Sequence, residues 1–264
     1  MKDVELLLDA NGGIVSTAQL IGAGMAPSQI RRLGWRRPRR GWHACPTADP
    51  KVEQAVRTGG VFGCVSVLKR YGIWVPDHGL HVRAEGDCQP YRWRPRSFSA
   101  IDTLDVALAS AVNCLDSEGV IVILDSALNL RLIEMADATT LVKGSKYAHL
   151  RLDEKCDGRS ESGLETITRL RLRARHIKVR LQVEIGTVGR VDLLVGKSLV
   201  IECDGQAYHS FDADRERDRR LRALGFQVIR LSYNHVMHDW AAAEQDLLAV
   251  IRRREHEWPA QICV

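Results

Sequence analysis

The spacing of apolar positions predicts helices in the N-terminal part of the chain. Apolar residues recur at helical spacing in three short runs, at residues 4–8, 18–21 and 27–33. Ser16 is suited to cap the second run, and Pro27 to occupy the first turn of the third. An arginine-rich segment with two tryptophans follows. This order predicts a winged helix-turn-helix with the basic segment at its wing.

The C-terminal part has the alternating pattern of an α/β domain. A helix is predicted from Ser162, and Gly225 is predicted to end a later one. Between residues 169 and 180, arginines alternate with apolar residues, so periodicity alone does not separate helix from strand there. The remaining predicted elements are strands at 189–195, 199–209 and 226–231, a helix at 212–224, and a last helix after Asp239.

These patterns predict three regions. Residues 1–47 form the winged helix-turn-helix, residues 48–155 form a mostly helical connecting region that completes the N-terminal unit, and residues 156–264 form the α/β domain. The expected fold class is α/β, with a mixed sheet flanked by helices in the last region.

Three carboxylates lie on two neighbouring predicted strands. Asp192 is on the first strand, and Glu202 and Asp204 are on the second. Because side chains alternate along a strand, Glu202 and Asp204 point to the same face, and Asp192 can converge with them. Carboxylate oxygens are the ligands that Mg²⁺ prefers, so the pattern predicts a divalent-cation site.

These motifs resemble the PD-(D/E)xK nuclease superfamily. Asp192 is followed after nine residues by Glu202-x-Asp204, then by Gly205, His209 and an Arg/Asp-rich segment, which is similar to the branch of very-short-patch repair endonucleases. The resemblance implies a restriction-endonuclease-like core and Mg²⁺-dependent cleavage of DNA, with Mn²⁺ able to substitute. It implies metal binding by Asp192, Glu202 and Glu165, and catalytic roles for these three residues together with Asp204 and His209.

One residue departs from the superfamily pattern. Asp204 stands where the superfamily usually has a lysine that orients or activates the attacking water. In the very-short-patch branch a downstream histidine takes that part, which implies His209 here. If no other residue takes over the role of that lysine, the domain is expected to be inactive.

Glu165 has two interpretations. Ser162 and Glu165 match a capping box, which would make the glutamate a local helix-start residue. In the nuclease resemblance, a glutamate on the first helix of the core joins the metal site, and Glu165 matches that position, with Glu161 as a nearby rival. We expect the second role.

Two clusters of basic residues are candidates for binding a polyanion. The first 47 residues resemble the N-terminal antitoxin domain of the AbiEi family, with the opening Gly12-Gly13-x-Val15 and the wing Arg39-Arg40-Gly41. Net charge is only +5, but phosphate binding depends on local potential. A solvated basic face is the alternative for both clusters. The candidate nucleic-acid-binding residues are Arg31, Arg32, Arg36, Arg37, Arg39 and Arg40 in the wing, and Arg171, Arg173 and Arg175 beyond residue 160.

The remaining composition bears on location and on cysteine chemistry. No apolar run approaches the roughly 20 residues of a membrane span, and the N-terminus lacks a signal pattern, so we expect a cytoplasmic protein with no membrane partner. Seven cysteines without a C-x-x-C pair favour reduced thiols over a zinc site or a disulfide framework. His78, His81 and His149 lack ligand-spaced partners and are expected to be structural.

The function expected from the sequence is therefore a metal-dependent DNA endonuclease, a phosphodiester hydrolase targeted by a winged helix. The alternative is a DNA-binding regulator or antitoxin with an inactive nuclease fold. An RNA substrate, nicking against double-strand cutting, and a homodimer stay open.

Overall fold

The computed structural model describes residues 2–76, 78–83, 88, 99–186, 188–205 and 211–258, with only the backbone at 211–214. The chain divides into two compact units. Unit 1 comprises Met1–Val120 and Glu134–Glu154, and unit 2 comprises Ile121–Ile133 and Lys155–Val264.

Unit 1 begins with the three predicted helices. They are α1 (Lys2–Ala10), α2 (Thr17–Gly22) and α3 (Pro27–Arg32). Ser16 caps α2 as predicted, because its Oγ accepts a hydrogen bond from the backbone N of Gln19 while the Gln19 side chain accepts one from Ser16 N. Gly24, at φ +86°, takes the left-handed conformation that lets the chain turn after α2.

A two-stranded sheet accompanies these helices. Strand β1 (Ile14–Ser16) pairs antiparallel with β2 (Trp42–Ala44), so the arginine-rich segment lies between the third helix and the second strand. Val15, Leu20 and Ile30 form the buried core beneath them. The three predicted helices are confirmed, and β2 pairs with β1, which precedes α2 and α3 in the chain.

The rest of unit 1 is mostly helical. Strands β3 and β4 pair antiparallel, and a buried ion pair between Arg83 and Asp102, 2.7 Å apart, ties β4 to the start of α6. Helix α7 begins in unit 1, and unit 2 takes over from Ile121. The elements are α4 (Pro50–Arg57), β3 (Val61–Phe62), α5 (Cys64–Arg70), β4 (Val82–Arg83), α6 (Leu104–Cys114), α7 (Ser117–Asn129), α8 (Met135–Lys143) and the 3-10 turns Ala148–Leu150 and Leu152–Lys155.

Unit 2 contains the predicted α/β order around a four-stranded mixed sheet. The strand order is β5-β6-β7-β8, with β7 and β8 parallel and the other pairs antiparallel. Its elements are α9 (Gly163–Ala174), β5 (Val179–Ile185), β6 (Gly189–Val195), β7 (Leu199–Asp204), α10 (Phe211–Ala223), β8 (Gln227–Ser232), α11 (Tyr233–Met237) and α12 (Trp240–Arg252).

Helices pack on this sheet and position its polar residues. Helix α9 contacts β5, β6 and β7, and α10 contacts β8. The ambiguous run at 169–180 is a helix up to Ala174 and a strand from Val179. Val191, Leu194, Val200 and Leu221 are buried together, so burial of apolar surface fixes the register of the strands that carry the carboxylates.

Among the residues described, no helix has the length and apolar character needed to cross a membrane.

Candidate active site

The carboxylates of Asp192 and Glu202 lie on adjacent strands of unit 2. Asp192 Oδ2 accepts a hydrogen bond of 2.8 Å from the backbone N of Cys203, which anchors the Asp192 side chain beside β7. Glu202 is only 4 % exposed. The two residues that the sequence predicted to converge are therefore brought together.

Burial sets the protonation behaviour of this pair. Desolvation, followed by the neighbouring Asp192 charge, raises the pKa of Glu202 to about 8. Burial also raises the pKa of Asp192, although the hydrogen bond from Cys203 opposes that shift. Without a cation between them, two buried and neighbouring carboxylates disfavour simultaneous ionisation, because each negative charge is poorly solvated and repels the other.

Glu202 has an unsatisfied oxygen. Its Oε1 accepts no hydrogen bond from any residue that the structure describes. The Arg217 guanidinium of α10 lies 3.2 Å from that oxygen and forms an ion pair without hydrogen-bond geometry. A buried oxygen of this kind, next to a second carboxylate, has the donor chemistry of a hard divalent cation, so the residues present fit Mg²⁺.

Glu165 forms the Ser162 half of the predicted capping box, but its carboxylate accepts hydrogen bonds from other residues. The Ser162 side chain accepts a hydrogen bond from Glu165 N, as a helix cap does. The Glu165 carboxylate instead accepts hydrogen bonds from Glu161 N at 3.0 Å and from Gln182 Nε2 at 2.7 Å. Burial and the Asp192 charge raise the pKa of Glu165 to about 7, which places this carboxylate in the electrostatic field of Asp192. The rival Glu161 is exposed and pairs with Arg190.

Gln182 is a residue of the site that the sequence analysis missed. In the register of β5 and β6 it falls opposite Asp192, and it adopts φ +52°, a left-handed conformation that is strained for a residue other than glycine. Its amide holds the Glu165 carboxylate. The available signal was a neutral side chain at a polar position of β5, where the polar residues two positions away on either side, Arg180 and Glu184, are charged.

Asp204 forms a salt bridge with an arginine side chain. Arg230 on β8 donates from Nη1 to Asp204 Oδ1 at 2.8 Å, and also pairs with Asp218 on α10. Glu202 likewise contacts α10 through Arg217, so Glu202 and Asp204 share a face as predicted. His209, the expected general base, lies outside the described residues.

The arginines of α9 point in different directions, because a spacing of two residues spreads side chains around a helix. Arg171 donates to the Val236 carbonyl and stacks on Trp240, Arg173 lies 3.9 Å from Asp157, and Arg175 pairs with Glu244. The structure thus gives each of the three predicted nucleic-acid contacts a partner within unit 2.

Three arginines of the predicted wing line a basic pocket in unit 1. Arg31, Arg37 and Arg40 line a cavity of about 320 Å³ together with Thr17 and His43. Thr17 Oγ1 lies 2.9 Å from His43 Nε2, and burial, followed by the Arg37 charge, lowers the pKa of His43.

The other predicted wing arginines are also on the surface. Arg32 is exposed, Arg36 pairs with Glu53 at 2.7 Å, and Arg39 donates to the Gly59 carbonyl at 2.9 Å. Of the six predicted arginines, Arg31, Arg37 and Arg40 are therefore the ones that line the pocket together.

Comparison with known proteins identifies one region. The family model REase_MTES_1575, a restriction-endonuclease-like family, matches residues 165–251, which is less than half of the chain. No curated protein and no solved structure matches. The match begins at Glu165 and contains Asp192, Glu202 and Arg217, and it supports a nuclease domain in unit 2 with a restriction-endonuclease-like core.

Proposed function

We propose that this protein is a metal-dependent DNA endonuclease whose catalytic centre contains Asp192, Glu202 and Glu165. The observation that carries the proposal is the buried Glu202 oxygen without a hydrogen bond beside a second carboxylate, within the segment that matches a restriction-endonuclease-like family. A purely structural domain gains nothing from such a pair, because its desolvation is costly.

Asp192 and Glu202 would hold the metal. When bound, Mg²⁺ polarises a scissile phosphate and lowers the pKa of its bound water. Cys203 N and Gln182 orient Asp192 and Glu165 respectively, so the carboxylates are positioned before any cation arrives. His209 follows the motif as the expected general base, since its ordinary pKa is near neutrality.

Arg217 supplies a positive charge next to Glu202, where the superfamily lysine would be expected to act. An arginine remains protonated at all working pH values and cannot serve as a general base. We infer that Arg217 instead attracts the scissile phosphate, while proton transfer is left to another group.

Targeting is assigned to unit 1. The pocket lined by Arg31, Arg37 and Arg40 lies within the predicted winged helix and has the charge of a phosphate-binding surface. Replacing any one of these arginines with alanine should weaken duplex binding and reduce the salt slope by about 1. Arg36→Ala is the matched control, because Glu53 already neutralises that guanidinium. Equal effects of both substitutions would contradict the pocket's role.

The deciding experiment for catalysis uses supercoiled plasmid with Mg²⁺ or Mn²⁺. Asp192→Asn and Glu202→Gln should each abolish cleavage, as should EDTA, whereas Glu184→Gln should leave it unchanged because Glu184 is exposed on the same sheet. The ratio of nicked to linear product reports strand use. Absence of cleavage by the parent protein, with metal-independent DNA binding kept in both variants, would favour the regulator with an inactive nuclease fold.

A further inference from the structure

Unit 1 contains a compact group of metal-ligating side chains that no functional argument above uses. The ligand atoms of four residues all lie within 4.8 Å of one another. We call this the Cys/His cluster, and its members are Cys64, His81, Cys88 and Cys114.

The distances within the cluster are within about 0.5 Å of those of a tetrahedral site. Cys88 Sγ lies 3.0 Å from His81 Nδ1 and 3.4 Å from Cys114 Sγ, and Cys114 Sγ lies 3.5 Å from His81 Nδ1. With metal–sulfur bonds of about 2.3 Å and metal–nitrogen bonds of about 2.0 Å, tetrahedral ligands are separated by about 3.5–3.8 Å. Small side-chain adjustments therefore suffice to surround an ion.

The backbone around the cluster is organised to bring these segments together. Cys64 begins α5, Cys114 ends α6, and those two helices pack on each other. His81 precedes β4, and its backbone N donates to Ser66 Oγ on α5 at 2.8 Å. Gly63 is required for this approach, since a Cβ there would lie 2.5 Å from Asp102 Oδ2.

We propose that the Cys/His cluster binds one zinc ion as a structural centre of unit 1. Three thiolates and one imidazole are a ligand set of closed, four-coordinate zinc sites, and soft sulfur ligands disfavour Mg²⁺ or Ca²⁺. Zinc binding would release the thiol protons and join three segments that are far apart in sequence. This proposal is independent of the nuclease proposal and of its Mg²⁺ site.

A zinc ion at the cluster would stabilise a weakly paired part of unit 1. The sheet of β3 and β4 consists of two strands of two residues each, which is too little pairing to be stable alone. A zinc ion held from α5, from the residue before β4 and from the end of α6 adds binding free energy to folding. Cys64 is buried and Cys114 is exposed, so the site is supported on one side and open to an arriving ion on the other.

The experiment measures zinc in untagged protein purified with a reducing agent. Elemental analysis should find about one zinc per chain. Cys88→Ser and Cys114→Ser should each lose it, whereas Cys45→Ser, a buried cysteine of the same unit outside the cluster, should retain it. Cobalt added to the metal-stripped parent protein should give the thiolate charge-transfer band and the intense visible bands of a tetrahedral site.

Stability provides a second readout on the parent protein itself. In buffer without Mg²⁺, a chelator should lower the melting temperature of the zinc-loaded parent protein and leave that of Cys114→Ser unchanged. The proposal is overturned if reduced parent protein supplied with zinc holds none and shows no cobalt–thiolate band. It is equally overturned if peptide mapping of protein kept anaerobic finds a Cys88–Cys114 disulfide.

Discussion

Asp125 and Glu202 are both buried carboxylates of unit 2 with an arginine beside them, but their hydrogen bonding differs. Asp125 accepts hydrogen bonds from Asp157 N, Thr166 Oγ1 and Arg169 Nη2, at 2.6, 2.9 and 2.5 Å. Glu202 Oε1 accepts none from the described residues, although Arg217 is 3.2 Å away.

The electrostatics follow this difference. Burial raises the pKa of Asp125 to about 6, and opposing contacts limit the shift, first among them the charge of Arg169. With fewer compensating contacts and with Asp192 adjacent, the pKa of Glu202 is raised to about 8. A buried carboxylate whose two oxygens both accept hydrogen bonds stabilises the fold. One with an oxygen that accepts no hydrogen bond is available to bind a ligand.

The largest expected effect is on the buried pair of Asp125 and Arg169. Asp125→Ala should lower the free energy of unfolding by about 3–5 kcal/mol, because Arg169, at 0 % exposure, would keep a buried charge without its partner. Urea unfolding measures the change. Asp246→Ala, an exposed carboxylate on α12, is the control and should stay within about 0.5 kcal/mol of the parent. A decrease in the free energy of unfolding for Asp125→Ala no larger than that of the control would contradict a structural role for the Asp125–Arg169 pair.

Glu202 should show the opposite sign in metal-free protein. Its folded pKa lies above the unfolded value, so the folded state holds an extra proton between about pH 4.5 and 8, and stability falls as pH rises through that window. Glu202→Gln removes the ionisation and should stabilise the protein by on the order of 2 kcal/mol at about pH 9, with little effect at about pH 4.

Chemical unfolding in EDTA at the two pH values provides this measurement, and Glu184→Gln, an exposed carboxylate, is the control. Destabilisation by Glu202→Gln at the higher pH would show that the Glu202 charge is compensated by other groups of the protein. It would argue against Glu202 as a carboxylate available to bind a metal ion.

Arg217 should contribute a smaller amount, and only when Glu202 is ionised. Arg217→Met should lower metal-free stability by about 1 kcal/mol at about pH 9 and should have little effect at about pH 4. In a double-mutant cycle with Glu202→Gln the effect should disappear. Arg219→Met, which removes an exposed arginine paired with Glu216 on the same helix, should show no such coupling. Coupling of equal size at both pH values would indicate packing rather than charge.

An effect of similar size concerns Gln182, the strained residue that supports Glu165. Gln182→Ala and Gln182→Gly both remove the hydrogen bond to the carboxylate, but glycine accepts φ +52° without the steric cost. The glycine variant should therefore be more stable than the alanine variant by about 1 kcal/mol, as measured by thermal unfolding. Alanine equal to or better than glycine would mean that the backbone there relaxes without strain.

Local patterns were sufficient for the secondary structure around the site. Ser16 and Ser162 were identified as caps because a cap needs only a side chain and a backbone N–H a few residues away. Asp192 and Glu202 were placed on neighbouring strands because apolar runs interrupted by carboxylates are visible in the sequence. The family match then supported the nuclease interpretation of the same segment.

Interactions between distant segments were not predicted. Arg169 opens the run of arginines at 169–180, and it is buried against Asp125. Periodicity does not say which arginine of a helix faces inward. Gln182 and Arg217 join the carboxylates only through strand register and helix packing. The cysteines gave no ligand signal because 16, 6 and 25 residues separate Cys64, His81, Cys88 and Cys114 in the sequence.

The sequence by itself determined the α/β order of unit 2, the first three helices of unit 1, and the identity of the central carboxylates, since each depends on contacts within about one turn or one strand. Only the tertiary structure decided which buried charge is satisfied, which oxygen is left open and which thiols meet. Those outcomes depend on how separate segments pack, and packing places residues within a few ångströms whatever their separation along the chain.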